Sequence, residues 1–295
     1  MNGVTAVARA GEETKFLHVG NVLTVSLVHV ICGAALMAMI VLVAGGFVDS
    51  IKVDLGLHYY SESLSPLSTP WLPMPFNTVV NAGYTAVGIF WILHVRRHLD
   101  RGDISVDEGY LMYVFAWMIL IYGPVQLVRI VTQWRVAGIL DQWYTLPIFA
   151  WVGISCRQIG HASGGLDNGP VWLITASVAS YGVAIFHSRG FEVVLAAHIC
   201  AVVVQAWLVH RQSFGTELDR QIRWSAFTRA VVCCTAFVLL KLADWHLAQL
   251  LPMPFTTLSG HFCSKVADFM QAHYACCFLE AALPTRLHSK VKSDC

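Results

Sequence analysis

Charge is scarce in this sequence. Only 13% of its 295 residues are Asp, Glu, Lys or Arg, against roughly a quarter in soluble globular domains. That shortage excludes an ordinary water-facing globule. A formal net charge of +1, with no run of Lys or Arg and no basic patch interleaved with aromatics, also excludes a nucleic-acid surface. Catalytic signatures are missing too: there is no Walker, Rossmann, nucleophile-elbow or His-Glu-x-x-His pattern, no Cys-x-x-Cys and no Asn-x-Ser/Thr sequon. Nine cysteines are present, at Cys32, Cys156, Cys200, Cys233, Cys234, Cys263, Cys276, Cys277 and Cys295. Nearly all stand in apolar stretches and read as small buried hydrophobes, not as disulfides. The adjacent pairs point to different helix faces, which argues against shared metal ligation.

What the chain has in abundance is apolar length. Hydrophobic residues make up 56% and mean hydropathy is +0.60, so the solvent is lipid. Crossing a bilayer core takes about 20 apolar residues, and spans are expected at 22–48, 76–95, 110–131, 140–156, 170–186, 193–209, 227–250 and 258–281, the fourth and fifth being short. The expected fold class is an all-α polytopic membrane helix bundle of about eight transmembrane helices. Its organisation is a cytosolic tail over 1–21, the first helix over 22–48, a non-cytosolic loop over 49–75, a seven-helix core over 76–281 and a cytosolic tail over 282–295. The first apolar run is too long for a signal-peptide core and follows Glu12, Glu13 and His18, so it reads as a span. With the amino terminus in the cytosol, the cytosolic connections hold twelve Lys and Arg and the opposite ones three, Lys52, Arg135 and Arg189, as the positive-inside bias requires. The loop 49–75 reads as an interfacial segment. Leu-Pro-Met-Pro-Phe occurs at Leu72–Phe76 and again at Leu251–Phe255; similarity stops soon after each, so both read as proline-stiffened entry turns.

Ionisable groups inside a span are costly and point to function. Lys241, Asp244 and His246 sit on the seventh span, and His261, Ser264, Lys265, Asp268 and His273 on the eighth. Spacings of three and four put His261, Ser264, Lys265 and Asp268 on one helical face. Cross-helix pairs Lys241–Asp268 and Lys265–Asp244 are expected, and Arg129 on the third span is expected to pair with Asp141 at the start of the fourth, beside Gln126. The polar intramembrane cluster is therefore Gln126, Arg129, Asp141, Lys241, Asp244, His246, His261, Lys265 and Asp268. A structural tie between helices, a ligand or proton site and a metal site all remain open for it. His161 and His198 read as solvated or hydrogen-bonded histidines.

Several stretches carry a resemblance. Pro75-Phe-Asn-Thr-Val-Val-Asn-Ala-Gly-Tyr-Thr, Tyr122-Gly-Pro-Val-Gln, Leu140-Asp-Gln-Trp-Tyr-Thr-Leu-Pro-Ile-Phe-Ala-Trp, Gly190-Phe-Glu-Val and Gly260-His-Phe-Cys-Ser-Lys-Val-Ala-Asp resemble the transmembrane protein 187 family over most of the chain. The resemblance implies a multi-pass protein of the Golgi or another endomembrane and no established activity. More distantly, Asn77-Thr78 with Asn81, and Leu140-Asp141-Gln142, are similar to the Asn-Thr-x-x-Asn and Leu-Asp-Glu segments of alkaline ceramidases and adiponectin-type receptors, membrane zinc amidohydrolases. That pattern places a Ser and a His four apart, an Asp eleven beyond the His, and a final His-x-x-x-His. Asp141 and His261 fit it. Gln126 stands at the Ser position, Ile130 at the first His and Lys265 at the last. An amidohydrolase zinc wants three neutral imidazoles and an open position for water, so the resemblance implies a lost metal, with Lys265, helped by Arg129, supplying positive charge among Asp141, Asp244 and Asp268.

The expected function is that of a non-catalytic lipid-binding, scaffold or receptor-like protein with a degenerate hydrolase-like core. Its partner is membrane lipid, no cofactor is assigned, and protein partners stay open. Asp141, His261 and Asp268 are the residues a catalytic reading would use. One alternative is a divergent membrane lipid hydrolase that holds zinc with His246, His261 and His273; another is a proton-coupled carrier using Lys241, Asp244 and Asp268.

Overall fold

The structure, a computed structural model, describes residues 2–160, 169–212 and 216–284. His161 and the basic residues of the carboxyl-terminal tail lie outside the described residues. Eight long helices follow the apolar runs: α1 (Asn2–Val43), α2 (Ala82–Arg101), α3 (Val106–Thr132), α4 (Arg135–Gly160), α5 (Gly169–Ser180), α6 (Gly190–Arg211), α7 (Glu217–Leu242) and α8 (Gly260–Ala282). Among the described residues, six stretches are long and apolar enough to cross a membrane: Asn21–Val43, Pro75–Arg101, Val106–Thr132, Gly169–Phe186, Gly190–Arg211 and Glu217–Leu242. Helices α4 and α8, of 26 and 23 residues, have the length, roughly 39 and 35 Å at 1.5 Å per residue. They are instead the carriers of polar groups, and their neighbours enclose them. This is an integral membrane bundle.

Burial ranks the helices. In α3, 61% of the apolar window is buried, against 17% in α6 and α7, so α3 is central and the other two face lipid. Helix α8 packs along α7, α2 along α3, α4 against α6, α3 and α5, and α1 against α3 and α4. Helices α2 and α3 approach each other closely. A Cβ on Gly123 would sit 2.6 Å from Thr85 Oγ1 and 2.9 Å from the Asn81 carbonyl oxygen, and one on Gly88 would sit 2.8 Å from Leu120 Cα. Only glycine allows backbones that close.

Helix ends follow local chemistry. Ser105 and Thr216 form capping boxes with Glu108 and Asp219, and Gly102, at φ 74°, closes α2 in the left-handed region. Where the sequence predicts one span over 22–48, α1 ends at Val43 and the pair Gly45-Gly46 opens a separate turn, Gly45–Val48, as two residues without side chains favour. The amino-terminal tail continues α1 as helix from Asn2.

The segment 49–75 does more than lie at an interface. It folds back across one end of the bundle. Arg135 Nη2 donates to the carbonyls of Val48, Asp49 and Ile51 at 3.0, 2.8 and 2.6 Å, Gln142 Nε2 reaches the Lys52 carbonyl at 3.3 Å, and Gly56 N donates to Gln133 Oε1 at 2.9 Å. Gln133 itself terminates α3 in the left-handed region, at φ 50°. The loop is thereby stitched to the α3–α4 turn.

Candidate functional site

Tyr122, Gln126 and Arg129 recur at four and three residues, so α3 presents them on one face. Asp141 and Thr145 share a face of α4 opposite. Arg129 Nη1 pairs with Asp141 Oδ2, Gln126 Nε2 donates to Asp141 Oδ1 and to the Tyr122 hydroxyl, and that hydroxyl donates to Asp141 Oδ1 at 2.9 Å. Thr145 Oγ1 donates to the Asp141 carbonyl at 2.8 Å. Arg129 is 5% exposed and Asp141 3%. Charges so enclosed persist only when paired and hydrogen-bonded, and this knot meets that condition. Arg129 Nε and Gln126 Oε1 are left without a partner among the described residues.

One layer over, on α2 and α8, the Tyr84 hydroxyl donates to Asp268 Oδ2 at 2.5 Å. The Tyr84 and Tyr122 rings meet edge to face at 5.1 Å, joining this pair to the knot. Lys265, 3% exposed, closes no ion pair among the described residues. Its ammonium lies 5.8 and 6.0 Å from the centres of the Tyr122 and Tyr84 rings, in the attractive range for a cation over an aromatic face. His261, one turn earlier, is buried against Tyr60 with ring centroids 4.8 Å apart, and its Nε2 has no partner among the described residues. Lys241 Nζ stands 6.0 Å from the Phe237 ring.

The folded-back loop seals this end. Asp244 accepts from Ser61 N at 3.0 Å and Ser61 Oγ at 2.8 Å, and from His261 N at 3.0 Å. One carboxylate thus anchors the loop and caps the first turn of α8, where its charge suits the helix dipole. Glu62, fully buried, accepts from Phe76 N at 2.6 Å and Asn77 N at 2.8 Å, capping the Pro75–Val79 turn that leads into α2. Burial holds the Glu62 carboxyl above the usual carboxylate range, although the two amides pull it back. The Tyr60 phenol is likewise pushed up by burial, offset by the neighbouring Arg129 guanidinium.

The structure brings Gln126, Arg129 and Asp141 into direct contact and turns Lys241, His261, Lys265 and Asp268 towards the same interior. Two of the expected pairings go elsewhere. Asp244 is taken by Ser61, leaving Lys265 to the tyrosine rings, and Asp268 is taken by Tyr84 in place of Lys241. His246 lies on the exposed side of the Asp244–Leu250 helix. His273 is twelve residues past His261, roughly 18 Å along α8, and accepts from Trp91 Nε1 at 3.2 Å. The imidazoles of His246, His261 and His273 therefore share no common point, and the amidohydrolase zinc does not fit: one imidazole faces an ammonium, and Asp141 is already engaged. His198 is satisfied by Ser177 and the Val194 carbonyl, each at 2.8 Å. Tyr60, Ser61, Glu62, Tyr84, Tyr122 and Thr145 complete the site without having been singled out by charge. A Glu and a Ser next to Tyr60 in a loop look solvated, and nothing local signals that partners on α8 and its approach enclose them.

Beside the knot opens a narrow apolar chamber of about 80 Å³. Phe115, Ile119, Val202, Phe227 and Phe278 are among its apolar lining, and Tyr84, Tyr122, Thr145, Asp268 and Gln271 are its polar lining.

Comparison with known proteins places the chain. The TMEM187 protein family model matches residues 26–280. Two proteins named transmembrane protein 187 are similar: the one from Homo sapiens is 42% identical over 257 residues, 85% of this chain and 90% of that protein, and the one from Bos taurus is 38% identical over 253 residues, 83% and 90%. No solved structure matches. The chain belongs to the TMEM187 protein family.

Proposed function

We propose that this member of the TMEM187 family is a non-catalytic, receptor-like membrane protein that holds one amphipathic lipid inside its helix bundle. The observation that carries the reading is the composition of this chamber, mostly apolar walls with a few polar side chains, Tyr84, Tyr122, Thr145, Asp268 and Gln271, as small-ligand sites have. Part of an acyl chain would lie against the apolar walls, and a hydroxyl, amide or amine at its head would bond Asp268 and the tyrosine hydroxyls, with the Lys265 ammonium nearby. The degenerate hydrolase-like core belongs to the same reading: Lys265 supplies fixed positive charge, and Asp141, locked by Arg129 and Gln126, is not free to move a proton. The motif resemblance suggests an internal membrane such as the Golgi.

The test is native mass spectrometry of the full-length chain extracted in mild detergent, with the released lipid identified. About one lipid per chain is expected, recovered intact, lost in Ala272→Phe, which fills the chamber, and bound more weakly in Asp268→Asn. No bound lipid in the wild type, or equal lipid in all three proteins, would overturn the reading.

A further inference from the structure

At the opposite end of α2 and α8 stands a second cluster that the lipid reading does not use. His94 and His98 lie one turn apart on α2, a spacing that puts them on the same face, and their rings meet edge to face with centroids 4.6 Å apart. Glu280, near the end of α8, faces both: its Oε1 is 2.8 Å from His94 Nε2 and 3.4 Å from His98 Nε2. One donor atom from each of the three lies within 4.8 Å of the others.

The rings are held in place by groups that do not belong to the triad. Gly102, in the left-handed conformation, turns the chain back at the end of α2, and Asp103 N bonds the His98 carbonyl at 2.9 Å. That reversal lays Asp103 Oδ2 2.8 Å from His98 Nδ1. His94 is stacked on Phe90 at 5.7 Å and flanked by Trp91 at 5.0 Å. Side-chain exposures of 28% for His94, 14% for His98 and 15% for Glu280 leave the cluster reachable from the aqueous side.

Proton counting narrows what this arrangement is for. A neutral imidazole carries one N–H. If His98 donates Nδ1–H to Asp103, its Nε2 aims a lone pair at Glu280, beside His94 Nε2 aimed at the same oxygen. A cation between the three would satisfy all of them at once. Carboxylate–histidine pairing of the Asp103–His98 kind is the usual outer support of a ligating imidazole. The separations of 2.8 and 3.4 Å bracket the roughly 3.3 Å edge of a tetrahedron with bonds of about 2.0 to 2.1 Å. Two imidazoles with one carboxylate is also a ligand set that suits zinc and leaves a fourth position open.

We propose that His94, His98 and Glu280 bind a zinc ion, that Asp103 orients His98, and that water takes the fourth position. The site ties the end of α2 to the end of α8 and is separate from the polar cluster around Asp141 and His261.

The experiment uses the full-length chain in detergent, stripped with chelator and equilibrated with micromolar zinc, read by elemental mass spectrometry, with cobalt substitution read by visible absorption. About one zinc per chain and the intense bands of tetrahedral cobalt are expected in the wild type and in His261→Ala. Both should be lost in His98→Gln and Glu280→Gln, and Asp103→Asn should weaken zinc by about 10- to 100-fold. Should a ligand variant fail to fold, the Asp103→Asn affinity still decides the matter, because it removes no ligand. No stoichiometric zinc in the wild type would overturn the proposal. So would zinc that survives Glu280→Gln or is unchanged in Asp103→Asn, and so would zinc lost in His261→Ala but kept in His98→Gln.

Discussion

Helices α2 and α8 run side by side, and their two ends have opposite designs. At the loop end, Tyr84, His261, Lys265 and Asp268 are sealed under residues 54–62, and the neighbouring knot ties Arg129 to Asp141. At the other end, His94, His98 and Glu280 remain partly open: an i,i+4 pair and a left-handed turn set the two histidines on α2, and Glu280 meets them from α8. Enclosure makes each charge indispensable to its partner. Openness makes the second group adjustable, because water can replace any one of its members.

That contrast is breakable. The largest effect should come from Asp141→Ala, which leaves the Arg129 guanidinium buried and unpaired; stripping one partner from such a pair destabilises by about 3–5 kcal/mol. Thermal unfolding in detergent should show a large loss that Arg129→Met in the same chain largely restores. An unchanged midpoint would mean that water reaches the knot and that the end is not sealed.

A middle-sized effect belongs to the seam of the cap. Glu62→Ala removes the acceptor for two amides, a loss of about 2–3 kcal/mol for hydrogen bonds to a charged group, and should expose the 49–75 loop to protease. Because burial raises the Glu62 carboxyl above its ordinary 4.5, folding favours its protonated form. Its contribution is fully present below that value and is lost as pH rises through the raised one. The wild-type unfolding midpoint should therefore fall across this window, and in Glu62→Gln the slope should flatten. Equal slopes would place the titration on another group.

The smallest effect is expected at the open end. His94→Ala in metal-free buffer should shift stability by no more than about 1 kcal/mol, as for exposed ion pairs. A larger loss by calorimetry would show that this end is as sealed as the other.

The membrane helix bundle was legible because 20-residue apolar runs have few other uses, with six such stretches among the described residues against the eight spans expected, and Arg129 with Asp141 was legible because charge in such runs must find opposite charge nearby. Lys265 and Asp268 were misjudged as charge-pair members, since their partners are tyrosines, whose hydroxyls and faces leave no mark in a count of charge. Serving as a cap, the loop was illegible: Ser61 meets Asp244 across 183 positions, and Glu62 in a polar stretch looks like any solvated acid. The His94-x-x-x-His98 spacing was readable but lay at a helix end among Arg96, Arg97 and Arg101, where polar residues are ordinary.

The 183-position gap also orders events during synthesis. Arg129 and Asp141, twelve apart, can pair as soon as α3 and α4 leave the ribosome and enter the membrane. The cap cannot close then, because Asp244 and the first turn of α8 emerge more than a hundred residues later. The growing chain thus carries a half-built bundle with an open mouth through most of its translation, and closure of the loop over that mouth marks the moment at which the last helix has arrived.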